Sequence, residues 1–258
     1  MILNVKGTAL NVLEPKNLGT ERAPSLLFVH GAGGSGALWQ EQVGFFEGKH
    51  SVYRLDLPGH GGSGPGGEER VSAYAEWVRQ VAEAVFGKGP FVLAGHSMGG
   101  AVALELGLTP PAGLCGLVLV GTGAKLAVTR AIFQMLSENP EAFFQSIDQF
   151  AFSSAAPRAL REEFIRVSRQ CAPSVITNDF LACNQFDIRN RLSEIKLPTL
   201  VVCGEEDQLT PVKYSKYLHE AVTGSRLVLI PRAGHMVMSE QPDPFNRALL
   251  SFLETLGT

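Results

Sequence analysis

The run Gly95-His96-Ser97-Met98-Gly99-Gly100 is where chemistry could begin in this chain. The apolar stretch Phe91-Val92-Leu93-Ala94 precedes it and reads as a buried strand, and Ala101 to Leu106 follows and reads as a helix. Gly-x-Ser-x-Gly in that strand, tight turn and helix is a nucleophile elbow. The serine sits on a strained turn, so its hydroxyl projects from the end of the sheet. Gly95 and Gly99 remove side chains that would collide there. The helix that begins at the turn aims its N-terminal amides at the same spot and favours nascent negative charge. A serine hydroxyl needs a base to take its proton; histidine is the usual base, and a carboxylate fixes the imidazole tautomer. His235 follows the apolar run Leu227 to Ile230, and Asp207 follows Leu200 to Cys203 within Gly204-Glu205-Glu206-Asp207. Both stand just past strand-like runs, as Ser97 does, while Glu205 and Glu206 offer alternative carboxylates. His96 adjoins Ser97, but neighbours on a strand-to-turn segment project differently, which makes it a poor base.

The elements that would position these groups alternate between strand and helix. Ile2 to Val5 and Leu10 to Leu13 predict a hairpin turning near Lys6-Gly7. Leu26 to Val29 is a short apolar strand, followed by the glycine loop Gly31-Ala32-Gly33-Gly34-Ser35-Gly36 and a helix over Ala37 to Glu47. A strand over Ser51 to Asp56, a glycine-rich loop from Pro58, and a helix over Val71 to Phe86 come next. Leu114 to Val120 is another strand. This alternation implies a mainly parallel sheet covered on both faces. From Lys125 to Asn190 no buried strand is legible. Helical segments over Ala131 to Leu136, Glu141 to Phe150, Arg158 to Arg169 and Ser174 to Phe186 are separated by Pro140, Pro157 and Pro173. The strands resume at Pro198 to Cys203 and Leu227 to Ile230, and a last helix runs from Asp243 to Leu256. The expected organisation is one α/β core, residues 1–124 and 191–258, interrupted by a helical cap over 125–190, far longer than an ordinary loop.

Taken together, His30-Gly31 with its glycine loop, Asp56-Leu57-Pro58-Gly59-His60-Gly61, the elbow, Pro198 to Pro211 and Ala233-Gly234-His235 resemble the α/β-hydrolase superfamily, in its small capped members: carboxylesterases, enol-lactonases and carbon–carbon bond hydrolases. The resemblance covers the core from end to end, and no motif is assigned in the cap. It implies an eight-stranded, mostly parallel sheet flanked by helices, and a Ser97, Asp207, His235 triad in the chain order of that superfamily. It also implies an oxyanion hole from two backbone N–H groups, of Met98 after the nucleophile and of Ala32 in the glycine loop. Cleavage of a small carboxylic ester through an acyl-enzyme is the expected activity, with lactonase or carbon–carbon hydrolase as the alternative. No metal or organic cofactor is expected.

Other readings compete on particular residues. Gly31 to Gly36 also fits G-x-G-x-x-G between a strand and a helix, and Asp56 ends the next strand, where a dinucleotide's ribose would be bound. On that reading the elbow, Asp207 and His235 become coincidences. A non-catalytic binder of a small ligand is a third reading, against which the intact triad argues. His30, Leu209, Met236 and Phe144 are candidate pocket residues, the last among cap aromatics that mostly pack the cap helices together. His30 and His60 are read first as ordering their loops, with the pocket a second place for His30; His50 and His219 are read as surface residues, and Asp179 and Asp187 as structural, with contact to substrate as their alternative. The net charge of −3 argues against a nucleic-acid partner. The apolar runs are strand-length, so no membrane span is expected. An N-terminus without the features of a signal peptide, and four cysteines without a C-x-x-C pair, predict a cytoplasmic protein with reduced thiols.

Overall fold

A computed structural model describes residues 1–18 and 23–256. The chain opens with β1 (Ile2–Val5) and β2 (Thr8–Leu13), paired antiparallel through a turn in which Lys6 and Gly7 both have positive φ, 50° and 82°. Such a turn matches the twist of a tight hairpin. β3 (Ser25–Val29) leads through the glycine loop into a 3₁₀ turn and α1 (Gln40–Phe46). Then come β4 (Val52–Leu55), α2 (Val71–Phe86), β5 (Phe91–His96), α3 (Met98–Leu108) and β6 (Leu114–Val120). Four helices follow with no strand between them: α4 (Arg130–Glu138), α5 (Pro140–Phe150), α6 (Arg158–Ser168) and α7 (Pro173–Gln185). The core closes with β7 (Thr199–Gly204), α8 (Val212–Ala221), β8 (Arg226–Ile230), α9 (Val237–Glu240) and α10 (Pro242–Glu254).

The eight strands form one sheet in the order β1-β2-β4-β3-β5-β6-β7-β8. Only the hairpin and its junction with β4 are antiparallel. Within the parallel part, successive side chains alternate between two apolar cores. Leu27, Val29, Leu93, Leu117, Leu119 and Val201 face α2, α3 and α8, whereas Leu26, Phe28, Val92, Val118, Val120 and Val202 face α1 and α10. Burial on both faces is why these strands read as unbroken apolar runs. The α4–α7 insertion has a small core of its own around Leu136, Phe143, Phe144 and Ile176. An isolated bridge between Lys125 and Asp187 closes its base. Because β3 to β8 are parallel, the loops after them gather at one edge of the sheet. Among the described residues no helix is long and apolar enough to cross a membrane.

Candidate active site

Ser97 occupies the turn between β5 and α3 with φ 53° and ψ −115°, a conformation that costs a non-glycine residue free energy. The surroundings over-determine it. Ser97 N–H donates to Val120 O at 2.9 Å, and Thr122 Oγ1 donates to Ser97 O at 2.8 Å. A Cβ on Gly95 would lie 2.0 Å from Gly99 O, and one on Gly99 would lie 2.5 Å from Val29 O. The elbow therefore requires glycine at both positions because backbone, rather than a movable side chain, fills the space.

Asp207 and His235 meet at the ends of β7 and β8. His235 Nδ1 lies 2.9 Å from Asp207 Oδ2, with both side chains almost wholly buried. A carboxylate there can only accept, so Nδ1 carries the proton and Nε2 is the free base. Asp207 is held by three further bonds: Oδ1 accepts Leu209 N–H at 2.9 Å and Thr210 N–H at 2.8 Å, and Oδ2 accepts the Thr210 hydroxyl at 2.8 Å. Burial pushes the Asp207 carboxyl up, but the facing His235 and the Thr210 bonds outweigh it and hold it below the usual carboxylate range. Glu205 and Glu206 remain exposed, and Glu206 accepts Ser154 N–H instead.

The loop carrying His235 is fixed from three sides. Ala151 O, at the end of α5, accepts the amides of His235 and Met236 at 2.9 and 3.3 Å. Glu240 accepts Gly234 N–H and Ser153 N–H at 2.9 and 2.8 Å. His96 Nε2 bonds His235 O at 3.0 Å, its ring centroid 4.6 Å from that of His235. Burial, and then the neighbouring His235, pull His96 down to about 3, so it serves as a neutral donor to the backbone.

Two cavities meet at Ser97 and His235. The smaller, about 50 Å³, lies against Gly31, Ala32, Leu38, His96, Ile147 and Phe164. The larger, about 410 Å³, runs outward along Leu126, Ile132, Met135, Phe150, Gln208 and Tyr214. Ala32, Ile147, Phe180 and Leu209 line both, and no Asp, Glu, Lys or Arg among the described residues lines either. Leu38 and Phe164 divide the smaller cavity from a third, of about 240 Å³, which Met236 lines. Leu209 thus stands on the cavity wall and Met236 on that of the adjoining space. His30 and Phe144 line none of the three. His30 is turned into its own loops, Nδ1 donating to Gly31 O and Nε2 accepting Leu57 N–H, at 2.8 and 3.1 Å. Phe144 belongs to the insertion's core, edge-on to Phe143 and with the Arg169 guanidinium 4.7 Å over its ring.

Several residues that matter here were not visible as such in the sequence. Thr210, Thr122, His96 and Glu240 act by hydrogen bonds across 3 to 139 positions of chain. His50, expected at the surface, is buried and bonds Pro24 O at 2.9 Å. The carboxylate of Asp56 does not await a ribose: Oδ1 accepts Gly36 N–H, and Oδ2 accepts Gly62 N–H and Asn11 Nδ2. Gly34 N–H in the glycine loop is bonded to Gly31 O and Gly33 N–H to Asp179. A pyrophosphate would find these donors occupied, so the dinucleotide reading has no site. No group of three metal-ligating side chains occurs among the described residues.

Comparison with known proteins agrees with this geometry. Residues 26–248 match the model of the alpha/beta hydrolase family. The structure superposes on that of a thermophilic esterase with a TM-score of 0.88 and 34% identity, covering 100% of this chain and 98% of that one. An esterase from Exiguobacterium antarcticum superposes with a TM-score of 0.90 at 21% identity, covering 98% of each chain. RutD of Escherichia coli O103:H2 (strain 12009 / EHEC), named provisionally as a carbamate hydrolase, is 26% identical over 247 residues, 91% of this chain and 92% of that protein. With the elbow, the strand order and the family match in agreement, the chain belongs to the alpha/beta hydrolase family.

Proposed function

We propose that this protein is a serine hydrolase that cleaves a small, uncharged carboxylic ester through an acyl-enzyme. The buried Asp207–His235 pair, whose imidazole lines the same cavity as the strained Ser97, carries this reading. His235 Nε2 takes the Ser97 proton as Oγ attacks the carbonyl carbon. The amides of Ala32 and Met98 receive the oxyanion. His235 then delivers the proton to the departing alcohol, and a water activated by the same nitrogen hydrolyses the acyl-enzyme. Both amides suit the role. Met98 opens α3, ahead of that helix's own hydrogen bonds, and Ala32 lies on both cavity walls.

The walls speak to the substrate. A cavity with no cationic side chain among its described lining offers nothing to pair with an anion, so an apolar acyl or alcohol group fits it and a carbamate ion does not. The identity with the thermophilic esterase points the same way. Residues 125–190 act as a cap whose inner face, through Ile147 and Phe180, selects that group. A fluorophosphonate probe should label Ser97, and Ser97→Ala should lower kcat for p-nitrophenyl esters by about 10⁵-fold or more. Near-normal turnover in folded Ser97→Ala protein would refute the mechanism.

A further inference from the structure

Asp179, on α7 of the insertion, is wholly buried and makes more hydrogen bonds to the core than to its own helix's surroundings. Its Oδ2 accepts Gly33 N–H and lies 2.8 Å from His60 Nε2, while Oδ1 accepts the Tyr74 hydroxyl. Three separate core segments thus converge on one carboxylate: the glycine loop after β3, the loop after β4, and α2. His60 is positively charged in this arrangement. Its Nδ1 faces Pro58 O at 3.0 Å and its Nε2 faces the carboxylate, and both partners can only accept. Burial opposes that charge, but Asp179 outweighs burial and holds His60 well above the ordinary histidine range.

The bond to Gly33 matters most, because Gly33 follows Ala32 directly. The peptide whose N–H Asp179 grips is the one that joins Ala32 to Gly33. Gly33 has φ 63°, and Ile176 of the same helix α7 lies 3.3 Å from where its Cβ would be, so the loop is pressed against the insertion as well as bonded to it. We infer that Asp179 is a positioning residue that fixes the Ala32–Gly33 segment and so holds the second oxyanion donor in register with Ser97. Seating of α7 on the core thereby becomes a condition for transition-state stabilisation and not only for shaping the pocket. The inference rests on the ester-hydrolase reading above.

Two variants separate positioning from support. Asp179→Asn keeps the side chain's shape but leaves one acceptor oxygen for three donors. Tyr74→Phe removes one bond of the same carboxylate and leaves Gly33 untouched. Turnover of p-nitrophenyl butyrate, inhibition by a trifluoromethyl ketone and thermal melting are measured on both. Asp179→Asn should lower kcat about 10- to 100-fold, a fraction of the loss of a whole oxyanion donor, with KM changed less than about threefold. Binding of the ketone, whose adduct carries the oxyanion, should weaken in step. Tyr74→Phe should lower the melting temperature and keep kcat within about twofold. If Asp179→Asn fails to fold, the double variant His60→Gln with Asp179→Asn removes the buried charge altogether and carries the same comparison. Equal losses of kcat in the Asp179 and Tyr74 variants, or an unchanged kcat beside a lowered melting temperature in Asp179→Asn, overturn the inference and leave Asp179 as a pin. Ser97→Ala protein that still turned over would remove the underlying reading too. Loss of turnover in Ser97→Ala with intact kcat in Asp179→Asn removes this inference alone.

Discussion

Thr210→Val tests how Asp207 is held. The Thr210 hydroxyl donates to Asp207 Oδ2 at 2.8 Å and lies 3.2 Å from His235 Nδ1. Its removal leaves Oδ2 with His235 as its one remaining partner among the described residues, while the two amides on Oδ1 remain. A hydrogen bond to a charged group contributes about 1.5–3 kcal/mol, so the variant should lose about that much stability at neutral pH. The same bond helps hold the Asp207 carboxyl below its usual range. A carboxylate depressed in the folded state contributes stability that is present above its unfolded pKa, about 3.9, and is lost as pH falls through the folded value. The deficit of Thr210→Val should therefore be full near pH 7 and shrink below about pH 4. On the proposed mechanism Asp207 steadies the imidazolium formed during turnover, so kcat/KM should also fall, by about 10-fold, as 1.4 kcal/mol corresponds to one decade. Urea unfolding at pH 7 and pH 3, with kcat/KM on p-nitrophenyl butyrate, covers both halves. A deficit that stayed constant down to pH 3 would show that the hydroxyl packs against Asp207 without stabilising its charge, and would refute the reasoning.

Three further outcomes follow from the geometry. Gly99→Ala places a methyl 2.5 Å from Val29 O and 2.6 Å from His30 O, so the elbow must shift; about 1–3 kcal/mol of stability and most of the activity should go, and a fully active variant would contradict the close approach. Phe180→Ala should alter relative kcat/KM across acyl lengths by about 10-fold, whereas Phe144→Ala should lower thermal stability and leave the ranking of substrates alone; the reverse pattern would reverse their assigned places. Burial first, then a neighbouring histidine, lowers His30 to about 4 and His96 to about 3, so each protonates in the unfolded chain before the folded one. Stability should be full above about pH 6.5 and fall towards pH 4, by about 2 kcal/mol per ring at pH 5, and a flat unfolding midpoint over that range would contradict the neutral assignment of both.

The parallel core was legible because strands buried on both faces have no choice but to be apolar throughout, and because the elbow's glycines answer to backbone atoms whatever the rest of the chain does. The hairpin was legible from Lys6-Gly7 for the same local reason. The insertion's helices were also visible, to within a few residues at each end: Glu141 to Phe150 was expected and Pro140–Phe150 is found. Which of their faces lines the cavity was not. Phe144 and Phe180 look alike in the sequence, since an aromatic in a helix carries the same signature whether it faces a neighbouring helix or an empty space. The partners of Asp179 hid for a related reason. The sequence reads this carboxylate as structural but does not show what it holds, because the charge that accompanies it, on His60 at 119 positions' remove, stands opposite only once the chain is folded. His30 orders its loops, the first of its two readings, and stays out of the pocket because its two ring nitrogens are claimed by Gly31 and Leu57.

The bond from Ala151 O to the amides of His235 and Met236 has a consequence for how a substrate enters. It ties the α5–α6 junction to the very loop that carries the imidazole, and the Asp179 cluster ties α7 to the floor beneath. A segment anchored at both places cannot swing away as one rigid body without dismantling the His235 loop and the glycine loop together. Between Lys125 and those anchors lies α4, most of whose residues are at least partly exposed and which has only Leu136 fully buried, together with the stretch Leu126 to Thr129 on the cavity wall. Of the cavity's walls, this flank is the one that neither anchor holds directly, so any shift of the insertion would fall on it while the His235 loop and the glycine loop keep their places.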